Sequence, residues 1–172
     1  MSNRERTVYE NLFRSEIDGY SAFAAKEING EPSFYEKLGL RAGNWPHSPD
    51  RIQRNIALTE IGLSKNILIN LKKQTGYTWA QIAGLIGVSE RSLQRMPVTK
   101  RFNQQTSERI IGLVEALSAG AQVFGTLRLF MIWLDNPNLA FRNRKPQNLL
   151  TTRYGTTQLM NHLWRIEHGV TN

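Results

Sequence analysis

The sequence predicts an all-α protein. Three observations carry this: apolar residues recur at helical spacing in one segment after another, Gly, Asn and Pro punctuate those segments, and no strand-like alternation of useful length occurs. The same pattern divides the 172 residues into a helical N-terminal extension over 1–60, a helix-turn-helix domain over 61–122 and a small helical domain over 123–172.

In the extension, Val8, Leu12, Phe13 and Ile17 lie on one helical stripe that Asp18-Gly19 ends. A second helix is expected over Ser21 to Ile28, and a third opens at Pro32 and carries Phe34, Tyr35 and Leu38. Gly43, Pro46 and Pro49 mark a linker from Arg41 to Asp50, after which a helix reaches toward Leu58. Ser64 is placed to cap a helix bearing Ile67, Leu68 and Leu71, whose basic end, Lys72-Lys73, suits the negative end of the helix dipole before Gly76 stops it.

The stretch from Thr78 to Met96 is the most informative. Ile82, Leu85 and Ile86 form one buried helical face, and Thr78 can cap that helix because its hydroxyl accepts from an otherwise unpaired N–H. Gly87 then supplies a residue free to take positive φ, and Ser89 caps a second helix beginning at Glu90. Small Ala83 permits close crossing, while Val88, Leu93 and Met96 lock the pair: a helix-turn-helix. Its second helix leaves Glu90, Arg91, Ser92, Gln94 and Arg95 on the outer face, able to meet base edges or phosphates. Between Glu90 and Glu108 there is no carboxylate to offset Arg91, Arg95, Lys100 and Arg101, so this edge should face a phosphate backbone with positive potential. Thr78, Ser89, Glu90, Arg91, Ser92, Gln94, Arg95, Lys100 and Arg101 are therefore the candidate DNA-binding residues. The structural alternative is a pair of core helices with a solvated charged face.

Beyond Pro97, Thr106 or Ser107 is expected to cap a long helix lined by Ile110, Ile111, Leu113, Val114 and Leu117 and continuing to Gly125. Thr126 caps the next, through Phe130 and Trp133 to Asn136-Pro137. Pro146 opens a short helix with Leu149-Leu150, and Gly155-Thr156-Thr157 begins the last, with Leu159, Leu163 and Ile166 on one face and Gly169 as its cap. Trp133 and Trp164 either support the last helices from the core, the favoured reading, or anchor an interface. From Asn136 to Ile166 there is no carboxylate, while Arg142, Arg144, Lys145, Arg153 and Arg165 make the region basic.

Composition narrows the function classes. The absence of cysteine excludes disulfides and thiolate metal sites, and the net charge of +8 suits a polyanionic partner. No apolar run approaches the roughly 20 residues that span a bilayer, and Met1 to Arg6 lacks a signal core, so a cytoplasmic protein without membrane partner is expected. His47, His162 and His168 have no companions at catalytic or metal-ligand spacing and no phosphate-binding Gly loop occurs, so neither an enzyme nor a cofactor or metal is expected. A ligand-responsive helix-turn-helix regulator and a non-DNA adaptor remain alternatives; the first predicts a pocket, whereas a partner-binding protein predicts an exposed apolar patch.

Set in order, Gly62-Leu63, Val88 to Leu93, Val123-Phe124-Gly125, Trp133-Leu134, Pro137-Asn138, Pro146 with Leu149-Leu150, and the terminal Arg165-Ile166-Glu167-His168-Gly169-Val170 resemble the Xre/MbcA/ParS family of toxin–antitoxin antitoxins. The first 60 residues lie outside this resemblance. It implies an Xre-like helix-turn-helix domain followed by a toxin-binding domain that covers the active site of a cognate toxin, most often a RES-domain protein that consumes NAD. It also implies a homodimer that binds double-stranded operator DNA and represses its own operon. By the same resemblance, Arg142, Asn143, Arg144, Arg165, Glu167, His168, Gly169 and Val170 are the candidate toxin-binding residues. One departure stands out: where the family carries a Pro and then a Gly pair in the loop before Pro146, this chain has Leu139, Arg142 and Asn143, which predicts another loop conformation or a different contact with the partner.

Overall fold

The computed structural model describes residues 49–170 of the chain. Among them the regular elements are helical: α1 (Pro49–Ile61), α2 (Lys65–Thr75), α3 (Trp79–Ile86), α4 (Glu90–Arg95), α5 (Gln104–Val123), α6 (Leu127–Asp135), short 3-10 helices at Leu139–Phe141 and Pro146–Thr151, and α7 (Arg153–Glu167). Extended pairing among the described residues is limited to isolated bridges of Ser64 with Arg101 and Asn138 with Arg144. The all-α expectation holds. The helices expected before Arg41, the linker as far as residue 48, and Thr171 and Asn172 lie outside the described residues.

The long helix α5 organises the core. Ile110, Ile111, Leu113, Val114, Ala116, Leu117 and Ala119 are all buried, so it is covered on most of its circumference, with α1, α3, α6 and α7 packed around it. Farther apart in sequence, α2 also meets α6, and α3 meets the 3-10 helix Pro146–Thr151. The helix-turn-helix and the C-terminal helices thus share one continuous core.

A close crossing makes the joint. Helices α5 and α6 meet at 107°, and a Cβ added at Gly120 would lie 2.2 Å from the Phe130 ring, which is fully buried. Only a glycine lets that ring rest on the helix backbone. Phe124 and Trp133 complete the cluster, each with its ring centroid between 5.1 and 5.6 Å from its neighbours', a spacing typical of favourable aromatic pairs.

Several local expectations need correction. Helix α5 is capped by Asn103, whose Oδ1 accepts from the Thr106 N–H at 2.8 Å, and not by Thr106 or Ser107. Ser107 is instead fully buried, and its Oγ accepts the Leu63 N–H at 3.0 Å, satisfying a backbone donor of the α1–α2 turn. Helix α7 begins at Arg153 under a Thr152 cap, two residues before Gly155; a Cβ on Gly155 would strike the Leu149 carbonyl at 2.2 Å, so that glycine serves packing rather than initiation. Ser64 stands at the N-cap position of α2 without a side-chain cap bond. Trp164 is 44% exposed, not a core residue, because its neighbour Leu163 takes the inward position on α7.

Candidate functional site

The helix-turn-helix is fixed by bonds among neighbours. Thr78 Oγ1 accepts the Gln81 N–H at 3.2 Å while Gln81 Oε1 accepts the Thr78 N–H at 2.9 Å, a reciprocal capping box at the start of α3. Gly87 ends α3 at φ +71, and the Val88 N–H then donates to the Ala83 carbonyl at 3.0 Å. Ser89 Oγ accepts the Ser92 N–H at 3.1 Å and opens α4. Within α4 only Leu93 is buried, so Glu90, Arg91, Ser92, Gln94 and Arg95 all face outward.

The candidate DNA-binding residues differ in how free they are. Arg91, Arg95 and Lys100 are exposed, and no hydrogen-bond or ion-pair partner holds them among the described residues. Gln94 donates from Nε2 to Glu90 Oε1 at 2.8 Å, and the Ser89 hydroxyl lies 2.7 Å from that of Ser92. Arg101 is engaged otherwise: its Nη1 donates to the Gly62 carbonyl at 2.7 Å, clasping the chain where Gly62 turns at φ +83 against the Phe102 backbone.

Two residues that the sequence reading passed over hold the motif in place. Lys65, only 7% exposed, donates from Nζ to the carbonyls of Gln94 and Met96, each at 3.0 Å, with Nζ 5.4 Å from the Trp79 ring centroid. A cation thus sits on the free carbonyls at the C-terminal end of α4 and ties that helix to α2, where charge and helix dipole cooperate. Arg109 of α5 reaches the Ile86 carbonyl at 3.4 Å, and its guanidinium occupies the space a Cβ on Gly87 would need. Gly87 is favoured by its φ, and the missing Cβ also leaves the guanidinium its place. An apolar-period reading gives no sign of either residue, because each acts through a contact far along the chain.

The second surface lies at the other end of the molecule's sequence. The residues from Asn138 to Arg144 form a closed loop: the Asn138 N–H donates to Arg144 O at 3.1 Å, and Asn138 O accepts from both Phe141 and Asn143, each at 3.0 Å. Arg142 and Asn143 take φ of +56 and +60. The backbone at both residues thus holds the left-handed geometry with side chains in place. Asn tolerates this region, but for Arg it costs about 1–2 kcal/mol relative to glycine. The loop is pinned from beneath by buried Phe141, whose ring stands edge-on to Trp133 at 6.1 Å and to His162 of α7 at 4.9 Å. His162 stacks on Trp133 at 5.9 Å, and burial, then the Arg165 charge, lower its pKa below the ordinary 6.5. Arg142, Asn143 and Arg144 are exposed on the loop, and Arg165, Glu167, His168, Gly169 and Val170 are exposed at the end of α7.

The tail itself is rigidly finished. Gly169, at φ +66, donates to the Ile166 carbonyl at 3.2 Å and Val170 to that of Arg165 at 2.9 Å, the paired bonds of a Schellman turn. The His168 ring folds back on its own helix, with Nδ1 2.8 Å from the Trp164 carbonyl and its ring 4.4 Å from the indole. No cluster of potential metal ligands occurs among the described residues, and no described helix is long and apolar enough by itself to cross a membrane.

A helix-turn-helix with an exposed basic second helix is thus fused through one core to a helical module that presents a capped tail and a tight basic loop. Residues 55–115 match the antitoxin Xre-like helix-turn-helix domain, and residues 119–169 match the antitoxin Xre/MbcA/ParS C-terminal toxin-binding domain. The chain belongs to the Xre/MbcA/ParS antitoxin family. It is 29% identical over 140 residues to an antitoxin Xre of Yersinia enterocolitica, covering 80% of this chain and 90% of that one. With an antitoxin Xre of Photorhabdus laumondii it shares 25% identity over 138 residues, covering 79% and 88%. Alignments of 140 and 138 residues reach into the first 60 residues wherever they end, so the likeness extends further toward the N-terminus than the motifs alone indicated. A chain of the M. tuberculosis MbcT–MbcA toxin–antitoxin complex matches at 24% identity with a TM-score of 0.46, covering 59% of this chain and 90% of that chain.

Proposed function

We propose that the protein neutralises a cognate toxin with its C-terminal module and represses its own operon with its helix-turn-helix, acting by binding and not by catalysis. The observation that carries this reading is the presence, on one continuous core, of a matched toxin-binding domain ending in a capped, exposed tail and a matched helix-turn-helix with unpaired cations. The toxin is of the RES-domain, NAD-consuming kind, by the family resemblance. On DNA, Arg91, Gln94 and Arg95 reach bases, while Lys100 reaches phosphate. Gln94 must leave Glu90 to do so, and Arg101 would have to release the Gly62 carbonyl, which favours a bracing role for it. A helix-turn-helix covers one half-site, so the operator-bound form is a homodimer in the cytoplasm.

Two measurements test this. Deleting Arg165 to Asn172 should abolish protection in a growth assay against the toxin encoded beside the antitoxin while leaving specific DNA binding, because Arg165 to Val170 are exposed and contribute no residue to the core; full protection by a folded truncated protein would remove the tail from the mechanism. Arg95→Ala should weaken binding to the operon's own promoter by about 1–3 kcal/mol if Arg95 reads a base, whereas Lys100→Ala should weaken all sequences alike. Wild-type protein with no preference for that promoter over random DNA, with or without toxin, and monomeric on DNA by light scattering, would overturn the repressor reading.

A further inference from the structure

The loop from Asn138 to Arg144 is finished before any partner arrives. Each backbone N–H from Ala140 to Arg144 already has an acceptor inside the loop: Asn138 Oδ1 for Ala140, Asn138 O for Phe141 and Asn143, Leu139 O for Arg142, and Phe141 O for Arg144. From Ala140 to Arg144 the loop therefore offers a partner side chains and carbonyls but no unpaired backbone N–H. Phe141 alone turns inward. At the apex Leu139 is 88% exposed, with Arg142, Asn143 and Arg144 exposed around it.

A leucine this open contributes little to the fold and is free to be covered by a partner. The surrounding charges indicate what that is. The nearest acid in sequence, Asp135, is already bound by Lys145 Nζ at 2.8 Å and Gln147 Nε2 at 3.2 Å, and no carboxylate follows until Glu167. Arg142 and Arg144 thus stand without a neutralising partner beside an apolar knob. Arg142 is moreover held at positive φ, where glycine would close the same turn with less strain, so the turn alone does not call for an arginine there.

We infer that this loop is a preformed docking knob for the toxin, with Leu139 entering an apolar socket whose rim carries carboxylates that meet Arg142 and Arg144. The inference rests on the antitoxin reading above and adds a contact separate from the tail. An internally bonded loop loses little conformational freedom on docking, and an apolar side chain with charges around it matches the apolar core and polar rim of a protein interface.

The test uses the full chain and the purified toxin encoded beside it, with affinity read by titration calorimetry and fold by thermal melting. Leu139→Ser should weaken the complex by about 30-fold or more without lowering the melting temperature, since the side chain touches solvent. Arg142→Glu should weaken it by about tenfold or more and flatten its salt dependence, while Arg142→Gly should melt higher and still bind more weakly than wild type. If wild type binds tightly and both Leu139→Ser and Arg142→Glu bind within twofold of it, the knob is wrong and the tail suffices. If Leu139→Ser instead splits a dimer in light scattering with toxin affinity intact, the loop joins copies of this chain and the inference is overturned. A wild-type chain that binds no toxin at all defeats the antitoxin reading itself, an outcome plainly different from failure of the variants alone.

Discussion

The turn between α3 and α4 and the loop from Asn138 to Arg144 both reverse the chain within a few residues through the left-handed region, but with opposite choices of residue. At the first, Gly87 takes φ +71 without a Cβ and leaves room for the Arg109 guanidinium. At the second, Arg142 and Asn143 take φ of +56 and +60 with full side chains, and the conformation is imposed by the Asn138 bonds and by Phe141 locked between Trp133 and His162. The comparison teaches that the left-handed geometry can be reached through the freedom of glycine or imposed on residues with full side chains by hydrogen bonds and by packing beneath them.

The comparison can first be challenged at the joint that unites the two regions. Phe130→Ala should cost about 3–5 kcal/mol, because the ring is fully buried against Gly120 and its loss leaves a cavity. Denaturant melts followed by tryptophan fluorescence and circular dichroism should shift together; two separated transitions would show that the regions are independent after all. Next in size, Lys65→Met should cost about 1–3 kcal/mol by leaving the Gln94 and Met96 carbonyls without their charged donor. It should weaken operator binding more than it weakens binding to random DNA, since it loosens the orientation of α4.

The turns themselves predict effects of opposite sign. Gly87→Ala should destabilise by about 1–2 kcal/mol, from positive φ and the displaced Arg109, whereas Arg142→Gly should stabilise by up to about 1 kcal/mol. Equal signs in chemical denaturation would break the comparison. The smallest effect is one of pH. His162 has a folded pKa below its unfolded 6.5, so its neutral form is favoured by the fold; the associated stability is present above pH 6.5 and is lost as pH falls below it. Protection factors in the loop, taken against the intrinsic exchange rate at each pH, should therefore fall between pH 7 and pH 5 in wild type and less so in His162→Gln, while the α3–α4 turn shows no such dependence on His162.

The helix-turn-helix was legible because its signals are local. Thr78 with Gln81, Ser89 with Ser92, Gly87 with Ala83 and Gly169 with Ile166 are decisions made within three or four residues, and a single helical turn is enough to spell them. At the start of α5 the local signals were degenerate. Asn103, Thr106 and Ser107 are all capable caps, and what separated them was the Leu63 N–H, 44 residues away, which required Ser107 for itself. Lys65 belongs to the same class: a lysine at the head of an apolar helix reads as solvated until the carbonyls of Gln94 and Met96, 29 and 31 residues on, are brought beneath it. So do the exposure of Trp164 and the posture of Arg142. By itself the sequence determined the described helices, the caps at Thr78 and Ser89, the stops at Gly76, Gly87 and Gly169, and the basic edge of α4, since propensity, capping and charge act between neighbours. Only the tertiary structure decided which polar groups brace the recognition helix and which residues form the exposed loop, because those assignments depend on how α2, α5 and α7 come together across the core.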